Sequence, residues 1–213
     1  MFSRHGMDQP MTLAAREETT KPLPPVTFRK RDCGDFDMRI ARDGTWHYRG
    51  SPIGRKELVC LFASVLKRLP DGGYVLETPA ERGRIAVDDA PFVAVEMCWR
   101  DCDCEGHGVK LQCVSFRTNL DEVVTAGPEH PIRVETDPET GEPSPYVLIR
   151  PGLEARISRP VFYEMVALAE TEVIDGRRVL GVWSKGMFFP VGDHPEEEAG
   201  DLEDVWDEDS PAG

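Results

Sequence analysis

The chain has 213 residues, of which 40% are hydrophobic and 30% charged, with a formal net charge of -14. That length buries a core without staples, no apolar run approaches the roughly 20 residues of a membrane-spanning helix, and the start carries no apolar signal core. The expected location is the cytoplasm, and the acid excess excludes general binding to nucleic acid or to anionic membrane, both of which need a basic footprint.

The charge is unevenly spread. Nine of the 39 acids fall between Glu196 and Asp209, a stretch without Lys or Arg, which leaves 30 acids against 25 bases elsewhere. The folded part is therefore only mildly acidic, and small anions can still find local basic sites.

Residues 1–25 are polar and end in Lys21-Pro22-Leu23-Pro24-Pro25, a composition expected to form a disordered leader. An N-terminal α+β domain is expected over 26–90. It opens with alternation of Phe36, Met38 and Ile40 against Asp37 and Arg39, the period of a half-buried strand. Arg42-Asp43-Gly44 then turns the chain into Thr45 to Arg49, Pro52 precedes a helix, and Asp71-Gly72 precedes another strand. The helix is read from Leu58, Leu61, Phe62, Val65, Leu66 and Leu69, which fall on one stripe at helical spacing.

A C-terminal β-rich domain with one helix is expected over 91–193. Phe92 to Trp99 and Val109 to Arg117 flank the turn-rich Asp101 to Gly108 and read as a hairpin. Ile132 to Glu135 and Tyr146 to Ile149 read as a second, around Asp137-Pro138-Glu139-Thr140-Gly141. Leu153, Ala155 and Ile157 alternate with Glu154 and Arg156; Ser158 and Pro160 suit a helix start, and Phe162, Met165, Val166 and Ala169 continue an apolar stripe. Asp175-Gly176 leads into a strand from Val179 to Trp183. The order strand, helix, Asp-Gly turn, strand thus occurs twice, so the expected fold is α+β with duplicated strand-helix-strand units. Residues 194–213 are expected to be an acidic, disordered tail.

Four constellations bear on function. Cys98, Cys102, Cys104 and His107, with Cys113 nearby, offer zinc-type donors, but the spacing is nonstandard and Asp101, Asp103 and Glu105 disfavour thiolates. Without a secretory signal, reduced thiols are the expected state. His130, Arg133, Arg150 and Arg159 carry the residue types of an anion site at strand ends and a helix start. The bland alternative pairs these arginines with Glu135, Glu154 and Glu164 at the surface. Tyr163, Trp183 and Phe188 supply rings that stack on a ligand or pack in the core, and Asn119 supplies an amide to read a ligand's edge.

The sequence lacks a dinucleotide-binding or phosphate-loop glycine pattern, a His-Glu-x-x-His and a nucleophile elbow. Adjacent acids such as Asp88-Asp89 and Asp121-Glu122 point to opposite faces of a strand. The reading leans away from catalysis, and no cofactor is implied.

The chain resembles the bacterial family catalogued as domain of unknown function 1285. The likeness spans about Asp32 to Gly192 and rests on Cys33-Gly34-Asp35-Phe36-Asp37-Met38, Asp43-Gly44-Thr45-Trp46, Gly50-Ser51-Pro52-Ile53, Pro128 to Val134, Arg150-Pro151-Gly152-Leu153-Glu154-Ala155, and Trp183-Ser184 with Gly186. The resemblance implies a duplicated core, a C-terminal domain superficially like a pleckstrin-homology fold, and a ligand site between the domains. It also implies a nucleotide-like ligand and a role in signal transduction through an unidentified protein partner. The resulting expectation is a small anionic ligand held by Asn119, His130, Arg133, Arg150, Arg159, Tyr163 and Trp183. A metal-dependent hydrolase and a structural interaction module are the alternatives.

Overall fold

The computed structural model describes residues 30–103 and 110–193. The expected leader and tail, together with Cys104 and His107, lie outside the described residues.

The first sheet contains β1 (Arg31–Ile40), β2 (Trp46–Tyr48), β3 (Ser51–Pro52), β4 (Leu66–Arg68), β5 (Tyr74–Glu77) and β6 (Glu81–Val87), in the order β3-β2-β1-β6-β5-β4. Helix α1 (Lys56–Ser64) separates β3 from β4. The expected alternation holds along β1, where Met38 and Ile40 are buried and Asp37 and Arg39 exposed.

The second sheet contains β7 (Phe92–Asp103), β8 (Lys110–Thr118), β9 (Val123–Thr125), β10 (Ile132–Thr136), β11 (Pro143–Arg150) and β12 (Leu153–Ile157), in the order β10-β11-β12-β7-β8-β9. Each six-stranded sheet has one parallel pair at its centre, β1 with β6 and β12 with β7. Helix α2 (Arg159–Ala167) follows, and then β13 (Glu170–Ile174), β14 (Arg177–Ser184) and β15 (Met187–Asp193) form an antiparallel sheet. That sheet is fastened to the second one by Ser184, whose fully buried hydroxyl accepts from the Val114 amide at 3.0 Å and donates to the Ala126 carbonyl at 2.8 Å.

The expected α+β fold with duplicated strand-helix-strand units is overturned. The described residues form fifteen strands and two helices of nine residues each, a predominantly β architecture. The helices do not occupy equivalent places, for α1 stands between the two three-strand meanders of its sheet while α2 follows both meanders of the other. The C-terminal half holds two sheets, and α2 lies against strands of both.

The helical period of this segment is deceptive for a physical reason. Leu66 and Leu69 fit the helical stripe, but α1 ends at Ser64 and Leu66 pairs with Leu76 as the first residue of β4. Tertiary pairing outweighs a helical period carried by so few positions. The buried face of α1 is Val59 and Ala63, with Leu61 exposed, because the helix is gripped from the second half of the chain. Lys56 pairs with Asp121 at 2.6 Å, and the Ala63 carbonyl accepts from Arg150 at 3.0 Å. A single hydrophobic cluster runs from Met38, Ile40 and Trp46 through Phe92, Phe116 and Val147 to Val182 and Phe189, so the halves share one core.

Among the described residues no helix is long and apolar enough to cross a membrane.

Candidate functional site

Arg150 closes β11, and there it joins the halves of the molecule. Its guanidinium makes a paired contact with the Glu122 carboxylate, one arm at 2.8 Å, donates to the Ala63 carbonyl at 3.0 Å and lies 5.5 Å from the centre of the Phe92 ring. Asn119 performs a similar task. Its side-chain carbonyl accepts from the Val93 amide at 3.1 Å while its amide donates to the Gly44 carbonyl at 3.4 Å. Gly44 has φ of 84°, and a Cβ there would stand 2.6 Å from Asn119 Nδ2, so glycine is required by both conformation and approach.

Arg133, on β10, is held by both oxygens of Glu154 at 2.6 Å, contacts Glu135 and stacks 4.4 Å over the Tyr146 ring. The Glu154 hydrogen bonds raise its pKa above the usual arginine value, despite opposing desolvation. His130 Nδ1 donates to the Leu148 carbonyl at 2.9 Å, bracing the turn before β10. Arg159, exposed at the start of α2, contacts Glu142. Tyr163 is 67% exposed on α2, with Phe162 as its ring neighbour at 6.5 Å. Trp183 packs on Phe188 at 5.3 Å in the third sheet.

The seven residues are therefore distributed over the β8–β9 connection, β10 and the turn before it, the end of β11, helix α2 and the third sheet. The four basic ones serve neighbouring carboxylates or a carbonyl. Arg133 takes the Glu135 and Glu154 partners of the bland reading, whereas Arg150 and Arg159 use Glu122 and Glu142. The boundary between the halves is polar yet internally matched. Asp89 there accepts from the Tyr146 hydroxyl at 2.7 Å and pairs with Arg42 at 3.2 Å and Arg156 at 3.3 Å.

The cysteines also depart from expectation. Cys102 and Cys113 form a disulfide across the β7–β8 hairpin, with Cα atoms 5.9 Å apart, in place of the expected reduced thiols. Cross-strand placement brings them together although they lie eleven positions apart. Cys98 is free and exposed, and among the described residues no group of three or more His, Cys, Asp or Glu side chains is placed to hold a metal.

Of three hollows lined by described residues, the one best suited to a ligand lies on the first sheet and was missed in the sequence. Phe36 and Met38 of β1, Tyr48 of β2 and Leu76 of β5 form its floor, and Phe62 and Val65 at the end of α1 form its wall. Thr78 and Glu81 stand at one end, and the volume is about 270 Å³. It exists because α1 stops at Ser64 and the chain passes at once into β4, leaving the sheet face beyond Phe62 and Val65 uncovered. Gly83 of β6 seats the floor, since a Cβ there would fall 2.6 Å from the Phe36 ring. Behind the wall, Trp46 stacks on Phe62 at 6.2 Å, with its buried Nε1 unpartnered.

Two other hollows are more polar. One of about 470 Å³ lies between β10 and β15 beside Arg133, and one of about 430 Å³ is lined by Asp35, Asp37, Arg39 and His47. In both, the arginine is already paired, Arg133 with glutamates and Arg39 with Asp88. Mostly apolar lining with a few polar groups is the usual character of a small-molecule site, which favours the first hollow. The sequence signal was a surplus of large apolar side chains, Phe36, Met38, Tyr48 and Phe62, over what one short helix can cover.

Comparison with known proteins places these features in a family. Residues 24–90 match the model described as the DUF1285 N-terminal domain, and residues 91–191 match that of the DUF1285 C-terminal domain. A crystal structure of a DUF1285 family protein from Silicibacter pomeroyi is 43% identical, with a TM-score of 0.67, over 83% of this chain and 90% of that one. A second, from Shewanella baltica, is 24% identical with a TM-score of 0.45, over 61% of this chain and 90% of that one. The comparison with curated proteins yields no match. The family matches span both halves that Arg150 and Asn119 join, and the chain belongs to the DUF1285 family.

Proposed function

We propose that this protein is a small-ligand-binding protein rather than a catalyst, and that its ligand sits in the hollow on the first sheet. The observation that carries the proposal is the apolar, ring-rich lining of that hollow, in which Tyr48 stays 45% exposed at the surface. Covering those rings with a ligand would remove apolar surface from water at about 25 cal/mol per Å². At about 270 Å³ the space is near the lower end of ligand pockets, roughly 300–1,000 Å³, which suits one aromatic ring with a short arm. The pairing of Arg133, Arg150 and Arg159 with glutamates shifts the proposed ligand away from the anionic, nucleotide-like molecule expected from sequence. Signalling enters the proposal as the next step, a protein partner that distinguishes the filled hollow from the empty one.

The test is thermal unfolding of the full chain with 4-phenylbutan-1-ol, and separately with ATP and a cyclic dinucleotide, beside a Val65→Phe variant that narrows the hollow. A ligand at a hundredfold its Kd adds about 2.7 kcal/mol, or about 5–10 °C in Tm at this size. The proposal expects a saturable shift with the alcohol that Val65→Phe removes. A shift with the nucleotides alone, retained in Val65→Phe, would return the site to the arginines.

A further inference from the structure

The two carboxylates at the Thr78 end of the hollow are in opposite situations. Glu77 is bridged by Lys30 at 2.8 Å and Lys67 at 2.7 Å, and has no charge left to offer. Glu81 is exposed and has no ion-pair partner among the described residues, although Arg31 stands opposite it in the β1–β6 register. Thr78 has no proton to offer a ligand's polar end, because its hydroxyl donates to the Glu81 carbonyl at 3.1 Å, and it also accepts from the Glu81 amide at 3.0 Å. Every other lining residue is apolar or, like Tyr48, mainly aromatic surface. The one charged group of the lining is thus the Glu81 carboxylate, and it has no ion-pair partner among the described residues.

Resting on the reading of the hollow as the ligand site, we infer that its ligand is an amphiphilic cation: an aromatic or aliphatic body carrying an ammonium group that pairs with Glu81. The Arg49 guanidinium, 5.1 Å over the Tyr48 ring, disfavours an ammonium beside that ring. The apolar body therefore lies along Phe36, Met38 and Phe62, and the ammonium emerges at Glu81.

The experiment compares 4-phenylbutan-1-amine with its neutral counterpart 4-phenylbutan-1-ol by calorimetric titration of the full chain, in wild type, Glu81→Gln and Glu77→Gln. The amine should bind roughly three- to fivefold more tightly than the alcohol in wild type, the scale of a partly solvated charge pair. The preference should vanish in Glu81→Gln, persist in Glu77→Gln, and shrink as salt is added. Both substitutions are at residues near the surface of the sheet, and unchanged affinity for the alcohol reports that the hollow is intact. Equal affinities in wild type, or a preference that survives Glu81→Gln, overturns the cation assignment while leaving the hollow standing. If neither molecule binds, the reading of the hollow falls and this inference with it.

Discussion

Replacing Arg150 by Met removes the guanidinium but keeps most of the stem that packs beside Phe92. Three contacts are lost: the two arms on Glu122 and the hydrogen bond to Ala63. The side chains of Arg150 and Glu122 are 32% and 29% exposed, which sets the pair between two regimes. Surface pairs contribute about 0.2–1 kcal/mol, and breaking a buried pair costs about 3–5 kcal/mol. An intermediate loss of about 2–3 kcal/mol follows. With a urea m-value of about 2 kcal/mol/M, the unfolding midpoint should fall by about 1–1.5 M. Adding Glu122→Gln to Arg150→Met should recover part of the loss, because the orphaned carboxylate is then neutral. An Arg150→Met protein within about 0.5 kcal/mol of wild type would refute the assignment of Arg150 as the joint between halves.

Three further outcomes are expected. Glu77 is held down at about 2, from an ordinary 4.5, by hydrogen bonds from Lys30 and then Lys67. A depressed folded value adds stability that is present above 4.5 and lost as pH falls through about 2, so Lys67→Met should raise the carboxyl titration seen by NMR, and an unmoved titration would exclude the lysine bridge. Tyr146 is pushed up to about 12, from 10.0, by burial and then by its hydrogen bond to Asp89. That contribution is complete below pH 10.0 and disappears as pH rises through about 12; Asp89→Asn should lower the phenol titration followed by near-ultraviolet absorbance, whereas no change would remove Asp89 as a cause. Gly83→Ala should push Phe36 into the hollow and weaken 4-phenylbutan-1-ol binding at least tenfold, about 1.4 kcal/mol; wild-type affinity would show that Phe36 does not form the floor.

Local pattern was legible where one face of a strand is buried. The alternation of Leu153, Ala155 and Ile157 became β12, and the turn around Asp137 became the β10–β11 hairpin, with Asp137 Oδ1 accepting from the Glu139 and Thr140 amides. What stayed hidden was long-range pairing. Nothing local in β1 says that it will run parallel to β6, or that β12 will run parallel to β7, because those choices are made by the topology of the whole sheet. The partners of the arginines stayed hidden for a related reason. A side chain's charge is written in the sequence, but its partner is not: Arg150 meets Glu122 across 28 residues and Arg133 meets Glu154 across 21. The apolar surplus was legible but the place of the hollow was not, because it is set by where α1 ends, and the apolar spacing of Leu66 and Leu69 concealed that end.

The central claim, a ligand in the hollow of the first sheet, is tested most directly through Trp46, which stacks on the Phe62 wall. In a protein whose other tryptophans, Trp99, Trp183 and Trp206, are replaced by Phe, titration with 4-phenylbutan-1-amine should change Trp46 fluorescence saturably, and Val65→Phe should abolish the change. Saturable calorimetric binding of the amine with Trp46 emission unmoved, or a fluorescence change that persists in Val65→Phe, would place the ligand elsewhere and contradict the account.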